Sequence, residues 1–300
     1  MLGATGYVGG VLARELLARG EPVRALARNP ARARELERLG AEVRRADVLE
    51  PATLRPALEG AGVLYYLVHS MGRGADSGFA ERDERAARNV AAAAAEAGVE
   101  LIVYLGGLGE GRSEHLRSRH RTAQLLREGE VPVTYARAAM VIGAGSESFR
   151  VVRHLVERLP LMVTPRWVDT RTQPIAVADV VRYLAEIPRT PGAAGRELEL
   201  GGADVTTYGG FMDAVAEELG VGPRRRLRTP VLSPWLSSLW IGLVTPVDPG
   251  VARPLVEGLS TETVVRDPSG MALFDFRPVG LREAVRAALQ LSDSSRLPVS

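Results

Sequence analysis

Three glycines near the start of the chain have the spacing of a phosphate-binding turn. Gly3, Gly6 and Gly9 follow the pattern G-x-x-G-x-x-G, and an amphipathic helical pattern begins directly after them. Such glycines allow a tight turn, a close approach of the backbone to a pyrophosphate, and close packing of helix on strand. The free N–H groups at the start of the helix then attract the anion. An ordinary glycine turn has the same residues, but the βα units that follow favour a dinucleotide site.

The contacts to this cofactor are expected at the ends of successive strands. The first set comes from the loop and the first helical turn: Gly3, Thr5, Gly6, Tyr7, Val8 and Gly9. Asp47 and Val48 follow the predicted strand 42–45, and we expect them to lie beside the adenine, although Asp47 could equally cap the following helix. Gly106, directly after the predicted strand 101–105, completes the set.

An arginine stands where a site selective for NAD carries an acid. About 20 residues after the glycine loop, Asp or Glu usually binds the ribose 2′-hydroxyl. Here the strand end reads V-R-A-L-A-R-N-P, with Arg28 at that position and Arg24 two pleats earlier. A guanidinium suits a 2′-phosphate, so we predict NADP(H), with NAD possible, and expect Arg24 to assist Arg28. The alternative is that Arg28 is a surface arginine without a ligand.

Strands and helices alternate over the part of the chain that positions these residues. Helical patterns cover residues 8–19, 31–39, 52–59, 79–97 and 114–128. Strand patterns cover residues 22–27, 42–45, 63–68, 101–105 and 132–142. This alternation predicts an α/β fold with a doubly wound parallel sheet of the Rossmann type.

The alternation becomes less regular after Gly143, which indicates a smaller C-terminal substrate lobe. Helical patterns there cover residues 147–159, 178–187, 207–219 and 280–290, separated by stretches that contain proline. Residues 173–183 again read as strand then helix. We therefore assign residues 1–144 and 173–188 to an NAD(P)-binding domain, and residues 145–172 and 189–300 to a substrate-binding lobe.

The sequence resembles the atypical, extended short-chain dehydrogenases/reductases, most of all the NmrA-like and nucleoside-diphosphate-sugar epimerase-like branches. The resemblance covers about residues 1–220 and is specific for fold and cofactor. The matching motifs are G-A-T-G-Y-V-G-G at 3–10, V-R-A-L-A-R-N-P at 23–30, A-D-V at 46–48, R-A-A-M-V-I-G at 137–143 and Q-P-I-A-V-A-D-V at 173–180. The resemblance implies a cofactor domain and a C-terminal lobe that closes over the nicotinamide.

The catalytic residues that the resemblance implies are absent. Active members carry Ser or Thr after the fifth strand and a Tyr-x-x-x-Lys pair on the next helix. Here Gly106 or Gly107 takes the place of the hydroxyl, and His115 and Arg119 take the places of Tyr and Lys. The chain contains no lysine, so standard catalysis of this family is not expected.

Two functions stay open at this point. In the first, NADPH passes hydride to an apolar conjugated electrophile such as a quinone, and His115 donates a proton from a pKa that Arg119 lowers. In the second, the protein binds NADP(H) without turnover, as a redox sensor or an assembly factor. Equally, His115 and Arg119 could be a solvated polar pair one helical turn apart.

Residues 229–247 contain no charged side chain and two tryptophans. They are interpreted as a wall or lid of a pocket for an apolar substrate, with lobe core, a dimer contact or peripheral membrane contact as alternatives.

Composition excludes several other classes of site. A net charge of +2, with arginine spread among acidic residues, argues against nucleic acid as a partner. The chain has no cysteine, and its four histidines include no i, i+4 pair, so no metal site is predicted. Without cysteine or a signal-peptide pattern, a cytoplasmic location is expected.

Only Met1 and Leu2 precede the glycine loop. The first Rossmann strand lies at the centre of its sheet, and strands usually run about 5–6 residues. We therefore expect residues 1–2 to form a short strand between two longer parallel strands. We also expect four to six added apolar residues upstream, on the order of a usual strand length, to raise both melting temperature and cofactor affinity.

Overall fold

The computed structural model describes residues 1–69, 78–110, 113–164, 166–222, 224–228 and 260–294. Its strands are β1 (Arg24–Ala27), β2 (Glu42–Arg45), β3 (Val63–Tyr66), β4 (Leu101–Gly107), β5 (Val133–Ala138), β6 (Val141–Ile142), β7 (Leu161–Thr164), β8 (Arg171–Thr172), β9 (Ile175–Ala176), β10 (Glu197–Leu200), β11 (Thr206–Thr207) and β12 (Arg225–Arg228). Its α-helices are α1 (Tyr7–Ala18), α2 (Arg34–Arg38), α3 (Pro51–Leu58), α4 (Phe79–Glu96), α5 (Glu114–Arg127), α6 (Glu147–Arg158), α7 (Val177–Glu186), α8 (Tyr208–Glu218) and α9 (Leu281–Ser294).

The main sheet is parallel and has the strand order β2–β1–Leu2–β3–β4–β5–β10. Leu2 bridges Leu26 of β1 and Tyr66 of β3. Its backbone N–H donates to the Tyr65 carbonyl over 2.9 Å, and its carbonyl accepts from Leu67 over 3.0 Å. The prediction of a short strand between two longer parallel strands is therefore confirmed. The strand order reverses at this point, which is where doubly wound sheets bind their ligands.

Helices cover both faces of the sheet, which confirms the doubly wound α/β fold. On one face, α1 and α7 pack against the sheet through buried apolar side chains that include Leu12, Leu16 and Val180. On the other face, α3, α4 and α5 bury a second core that includes Leu54 and Val90. Apolar residues at helical spacing make each of these helices amphipathic, so burial of one face fixes each helix on the sheet.

A third apolar core lies in the C-terminal half of the described chain. Helices α6, α8 and α9 surround it, and β6 and β9 close it on the sheet side. Phe149, Phe211 and Val285 are fully buried there. The helical patterns predicted for 147–159, 207–219 and 280–290 correspond to these three helices. They form the smaller lobe of the fold.

Three sequence expectations need correction. Strand β10 pairs with β5 in the main sheet, although residues 189–300 were assigned to the lobe. Its four residues alternate Glu with Leu, a pattern that does not indicate which sheet a strand joins, and Leu198 and Leu200 enter the main core. The predicted strand 132–142 divides, because β6 leaves the main sheet to pair with β9. The predicted helix 31–39 begins as a 3₁₀ turn at Pro30–Ala33. The remaining domain boundaries stay a prediction.

The apolar stretch 229–247 lies outside the described residues, and so do its interpretations as a lid, a core or a membrane contact. None of the helices described combines the length and the hydropathy that a membrane crossing needs. Within the same part of the chain, no group of three or more metal-ligating side chains comes together.

Candidate functional site

The glycine loop packs so closely that side chains are excluded from two positions. Gly3 has a φ of +87°, and a Cβ there would lie 2.7 Å from the Leu67 carbonyl oxygen. A Cβ on Gly9 would lie 2.2 Å from the Gly3 carbonyl oxygen. That same carbonyl accepts the Gly6 N–H over 2.9 Å, which closes the turn. The loop therefore brings bare backbone to the sheet edge where the strand order reverses.

The start of α1 fits an anion. Gly6 is the N-cap, and among the described residues no side chain caps the helix and no acid lies in its first turn. Thr5 and Gly6 are exposed, while Val8 is half-buried. The first N–H groups of a helix have no intrahelical acceptor and carry a partial positive charge. The residues present are thus suited to hold a pyrophosphate, as predicted.

Tyr7 ties the phosphate loop to the loop that follows β6. A Cβ on Gly143 would lie 2.2 Å from the Tyr7 hydroxyl oxygen, and one on Gly145 would lie 2.4 Å from its ring. Burial raises the pKa of the Tyr7 hydroxyl, and a hydrogen bond from the Gly145 backbone opposes this shift. These two glycines were not singled out as site residues, because their role depends on a ring more than 130 positions away.

Arg28 lies at the carboxyl end of β1 with its side chain exposed. Within the described ranges, it has no ion pair or hydrogen bond to another side chain. Arg24 is different: its Nε donates to a Glu42 carboxylate oxygen over 2.6 Å, and its Nη1 donates to the Glu59 carbonyl over 2.7 Å. Arg24 lies at the other end of β1, about 13 Å along the strand at ~3.3 Å per residue. The expectation that Arg24 assists Arg28 is therefore wrong.

Asp47 and Val48 form the turn after β2. One oxygen of Asp47 accepts the Leu49 N–H over 2.9 Å, so this carboxylate stabilises its own turn. It does not cap the following helix α3, whose N-cap is Glu50 without a side-chain cap, so the alternative interpretation is wrong. The carbonyl of Val48 accepts from the Asn89 amide over 2.9 Å. Asn89 was missed, although an amide within the alanine-rich α4 was a detectable signal. A contact of Asp47 or Val48 with adenine remains a prediction.

The glycines at the end of β4 leave no room for the side-chain hydroxyl that the resemblance implies at this position. A Cβ on Gly106 would lie 2.3 Å from the Tyr135 ring, and one on Gly107 would lie 2.7 Å from Leu116. The Tyr135 ring stacks on Tyr104, with 5.2 Å between ring centroids. A tyrosine from β5 thus fills the space in which a serine or threonine would stand.

Tyr135 is also held through its hydroxyl. His120 Nε2 lies 3.0 Å from the Gly109 carbonyl oxygen, and His120 Nδ1 lies 3.0 Å from the Tyr135 hydroxyl. Since a carbonyl only accepts, Nε2 donates, and in the neutral ring Nδ1 accepts from the tyrosine. The Tyr135 proton is therefore committed to His120, and burial raises the pKa of this hydroxyl.

Substituting serine for Gly106 is expected to destabilise the fold instead of restoring a catalytic hydroxyl. The new Cβ must displace a stacked ring, and overpacking of this kind costs about 1–3 kcal/mol. Adding Tyr135→Val removes the ring, so the serine should cost less in that background. Urea unfolding of the two single variants and the double variant measures this coupling. Strictly additive losses would contradict the assigned conflict.

His115 and Arg119 form an ordered pair and not a solvated one. Arg119 donates through Nη1 to the Leu105 carbonyl and through Nε to His115 Nε2, each over 3.1 Å. Both side chains are half-buried. Burial and the guanidinium lower the pKa of His115 to about 3. A lowered pKa of His115 was predicted, but a pKa of about 3 leaves the ring uncharged at neutral pH. The ring can then donate a hydrogen bond, but it has no imidazolium proton to transfer.

Protonation of His115 is expected to destabilise the fold as the pH falls. Its folded pKa of about 3 lies below the ordinary 6.5, so the unfolded chain takes up this proton first. The contribution to stability is complete above pH 6.5 and is lost toward pH 3, at up to about 1.4 kcal/mol per pH unit. His115→Phe should therefore flatten the fall in melting temperature between about pH 6.5 and pH 4. Identical slopes in the two proteins would refute this.

His69 joins this pair from a neighbouring strand. It lies three residues beyond the end of β3, and its ring centroid is 6.3 Å from that of His115, at an interplanar angle of 67°. The His69 side chain is exposed. Desolvation by the surrounding protein, together with the positive charge of Arg119, nonetheless holds the pKa of His69 well below its ordinary value. Sequence reasoning missed His69, since nothing local indicates its proximity to α5.

The predicted site residues thus fall into two groups at one edge of the sheet. The first group contains the glycine loop, Arg28 and the turn after β2. These follow the short strand segment at Leu2, strand β1 and strand β2, respectively. The second contains Gly106, His115 and Arg119, at the carboxyl end of β4. His69 extends the second group toward the first, because Leu67 contacts Gly3.

The comparisons with known proteins identify the family and the fold. Residues 3–159, more than half of the chain, match a protein family described as NAD(P)H-binding. Cinnamoyl-CoA reductase 1 of Oryza sativa subsp. japonica is 36% identical over 114 residues, which are 36% of this chain and 33% of the relative. The match therefore spans about a third of the length of that relative.

Solved structures share the fold over nearly the whole chain. Triphenylmethane reductase of Citrobacter sp. is 21% identical with a TM-score of 0.76, over 96% of this chain and 98% of that chain. An NADPH-dependent quinone oxidoreductase of Escherichia coli, complexed with NADPH, is 22% identical with a TM-score of 0.74, over 95% and 97%. At these identities the likeness shows the fold alone.

Proposed function

Because the chain belongs to the NAD(P)H-binding family, we propose that it is an NADPH-dependent oxidoreductase that reduces apolar, conjugated, quinone-like acceptors. The observation that carries the proposal is the pair of groups at the sheet edge. One group suits a dinucleotide with a 2′-phosphate, and the other offers imidazole and guanidinium donors where the nicotinamide end is expected. Reductases of a dye and of a quinone share this fold.

The chemistry proposed differs from alcohol oxidation. An alcohol must lose a proton to a base while it gives up hydride. We assign Gly106, His115 and Arg119 to the positions where the resemblance implies a hydroxyl, a tyrosine and a lysine for that task. A conjugated acceptor needs less assistance, because its own π system takes up the electrons. NADPH supplies the hydride when bound. The side chains then have to orient the acceptor and stabilise the charge that develops on it.

Arg28 and the glycine loop would hold the cofactor at its phosphates. Arg119 would organise the second group of residues. Its hydrogen bond to the Leu105 carbonyl fixes the guanidinium, and its hydrogen bond to His115 Nε2 fixes the imidazole. With Nε2 accepting, the neutral ring carries its proton on Nδ1. His115 would therefore present an N–H donor, and Arg119 a permanent positive charge.

A second candidate is a protein that binds NADP(H) without turnover, as a redox sensor or an assembly factor. The closed hydroxyl position favours it, because Gly106 is backed by Tyr135, whose own proton bonds His120. Binding of the cofactor needs only the first group of residues. The two candidates therefore agree on cofactor affinity and differ in whether the second group does chemistry.

Oxidation of NADPH by the purified protein distinguishes the candidates. The absorbance of NADPH is followed with neutral quinones, an enone and a triphenylmethane dye as acceptors, and separately with NADP⁺ and a simple secondary alcohol as hydride donor, alongside direct titration of NADPH. We expect turnover with the quinones and the enone, and no oxidation of the alcohol at a rate that matches an alcohol dehydrogenase. His115→Phe should lower this turnover without changing NADPH affinity. Tight binding of NADPH with no turnover by any acceptor would favour the second candidate.

A further inference from the structure

We propose that His69 and His115 form one recognition pair for an oxyanion, so that the site takes acceptors ending in a carbonyl oxygen and disfavours cationic dyes. This deepens the proposed function by naming its acceptor class, and it rests on that function for the turnover part. The binding part stands separately, because an oxyanion can bind the pair without any reaction.

The first support is where the two rings meet. His69 follows β3 and His115 lies in the first turn of α5, which follows β4, so the two residues lie in segments that follow adjacent parallel strands. Their centroids are 6.3 Å apart and their planes are inclined by 67°. Rings at this separation do not bond each other directly, and an oxygen atom between them could accept from both.

The second support is the state of the imidazole protons. Arg119 can only donate, so its bond to His115 Nε2 makes that nitrogen an acceptor and leaves the proton on Nδ1. Among the described residues, neither this N–H nor either nitrogen of His69 has a hydrogen-bond partner. Donors left unused at a sheet edge where ligands bind are available to a substrate.

The third support is the charge of the cluster. Arg119 carries a permanent positive charge next to His115, and both imidazoles are uncharged at neutral pH because their pKa values are lowered. N–H donors and a nearby cation stabilise an oxygen on which negative charge develops. The same cation repels a positively charged acceptor. The cluster thus favours oxygen-ended acceptors over triphenylmethane cations.

The overall reaction balances without a further reactant. The hydride from NADPH adds to a carbon of the quinone or enone, and the π electrons move to the conjugated carbonyl oxygen. That oxygen becomes an anion between His69 and His115. A proton from water then neutralises it, so NADPH, one proton and the acceptor give NADP⁺ and the reduced acceptor.

The test compares two acceptors in matched variants. His69→Phe and His115→Phe remove the donors, and His115→Asn keeps an N–H donor near the position of Nδ1. For a neutral quinone we expect each Phe variant to lose about 100-fold in kcat/KM, and the Asn variant to keep most of it. For a triphenylmethane dye the unmodified protein should be poor, and neither Phe variant should lower its rate. His154→Phe, in the separate helix α6, serves as the control and should change neither rate.

A second measurement needs no turnover. A nitrophenolate has a fixed oxyanion, and its absorbance shift reports binding to the protein saturated with NADP⁺. Both Phe variants should weaken this binding by about 10-fold, in keeping with loss of one donor, while NADP⁺ affinity stays unchanged. Phenolate binding with this dependence but no quinone turnover would overturn the proposed function and keep the oxyanion pair.

Other outcomes would overturn the pair itself. One is a preference of the unmodified protein for the dye. Another is an equal loss of kcat/KM for dye and quinone in both Phe variants. A third is nitrophenolate affinity that neither Phe substitution changes. Failure of His115→Asn to retain quinone activity, with normal folding and normal NADPH affinity, would also show that the imidazole acts otherwise than by donating a hydrogen bond.

Discussion

Replacing Gly9 with alanine is expected to reduce NADPH affinity by about 100-fold or more, equivalent to about 2.8 kcal/mol. The added Cβ would lie 2.2 Å from the Gly3 carbonyl oxygen and 2.8 Å from the Gly3 carbonyl carbon. Both atoms belong to the backbone, so no rotamer change relieves the conflict. Helix α1 must move away from the loop, and the turn closed by the Gly6 N–H must open. Titration of NADPH into the folded variant measures the loss.

The adjacent glycine provides a matched control for Gly9. A Cβ on Gly10 would meet the end of the Arg14 side chain at 3.3 Å and the Ala4 carbonyl at 3.4 Å. The arginine can move, and alanine favours a helix by about 1 kcal/mol over glycine. Gly10→Ala should therefore bind NADPH normally and melt no lower. Equal NADPH affinity in the two alanine variants would show that the close approach at Gly9 does not shape the site.

Replacing Arg28 with alanine should remove most of the preference for NADPH over NADH. A charge-assisted hydrogen bond to the 2′-phosphate is worth about 1.5–3 kcal/mol, which corresponds to roughly 10- to 150-fold in affinity. Arg28 is exposed at the carboxyl end of β1, and no partner within the described chain competes for it. NADH lacks the phosphate, so its affinity should stay nearly constant. Parallel titrations with both cofactors measure the change.

Arg24 is the matched control for Arg28, because it lies on the same strand at the opposite end. Its bonds to Glu42 and to the Glu59 carbonyl give it a structural role. Arg24→Ala should lower stability and leave the ratio of NADPH to NADH affinity unchanged. Equal affinity for the two cofactors in the unmodified protein would refute the assignment of Arg28.

The sequence was sufficient to predict the fold and the tight glycine turn before α1. Helical and strand patterns are local, because each element buries one face at its own period. The glycine loop is likewise local, since Gly3, Gly6 and Gly9 meet one another within a single turn and helix. The place of strand β10 in the main sheet was not predicted, because a strand of four residues is assigned to a sheet only by its pairing, here with β5.

Only the tertiary structure determined how the second group of site residues and His69 are arranged. His69 and His115 are 46 positions apart, and they meet because β3 and β4 pair in a definite register. Tyr135 fills the space beside Gly106 because β5 is the next strand in the same sheet. The sequence indicates that Gly106, His115 and Arg119 occupy the positions where the resemblance implies a hydroxyl, a tyrosine and a lysine. What stands in their place depends on sheet order and register, which burial and backbone pairing across the whole domain determine together.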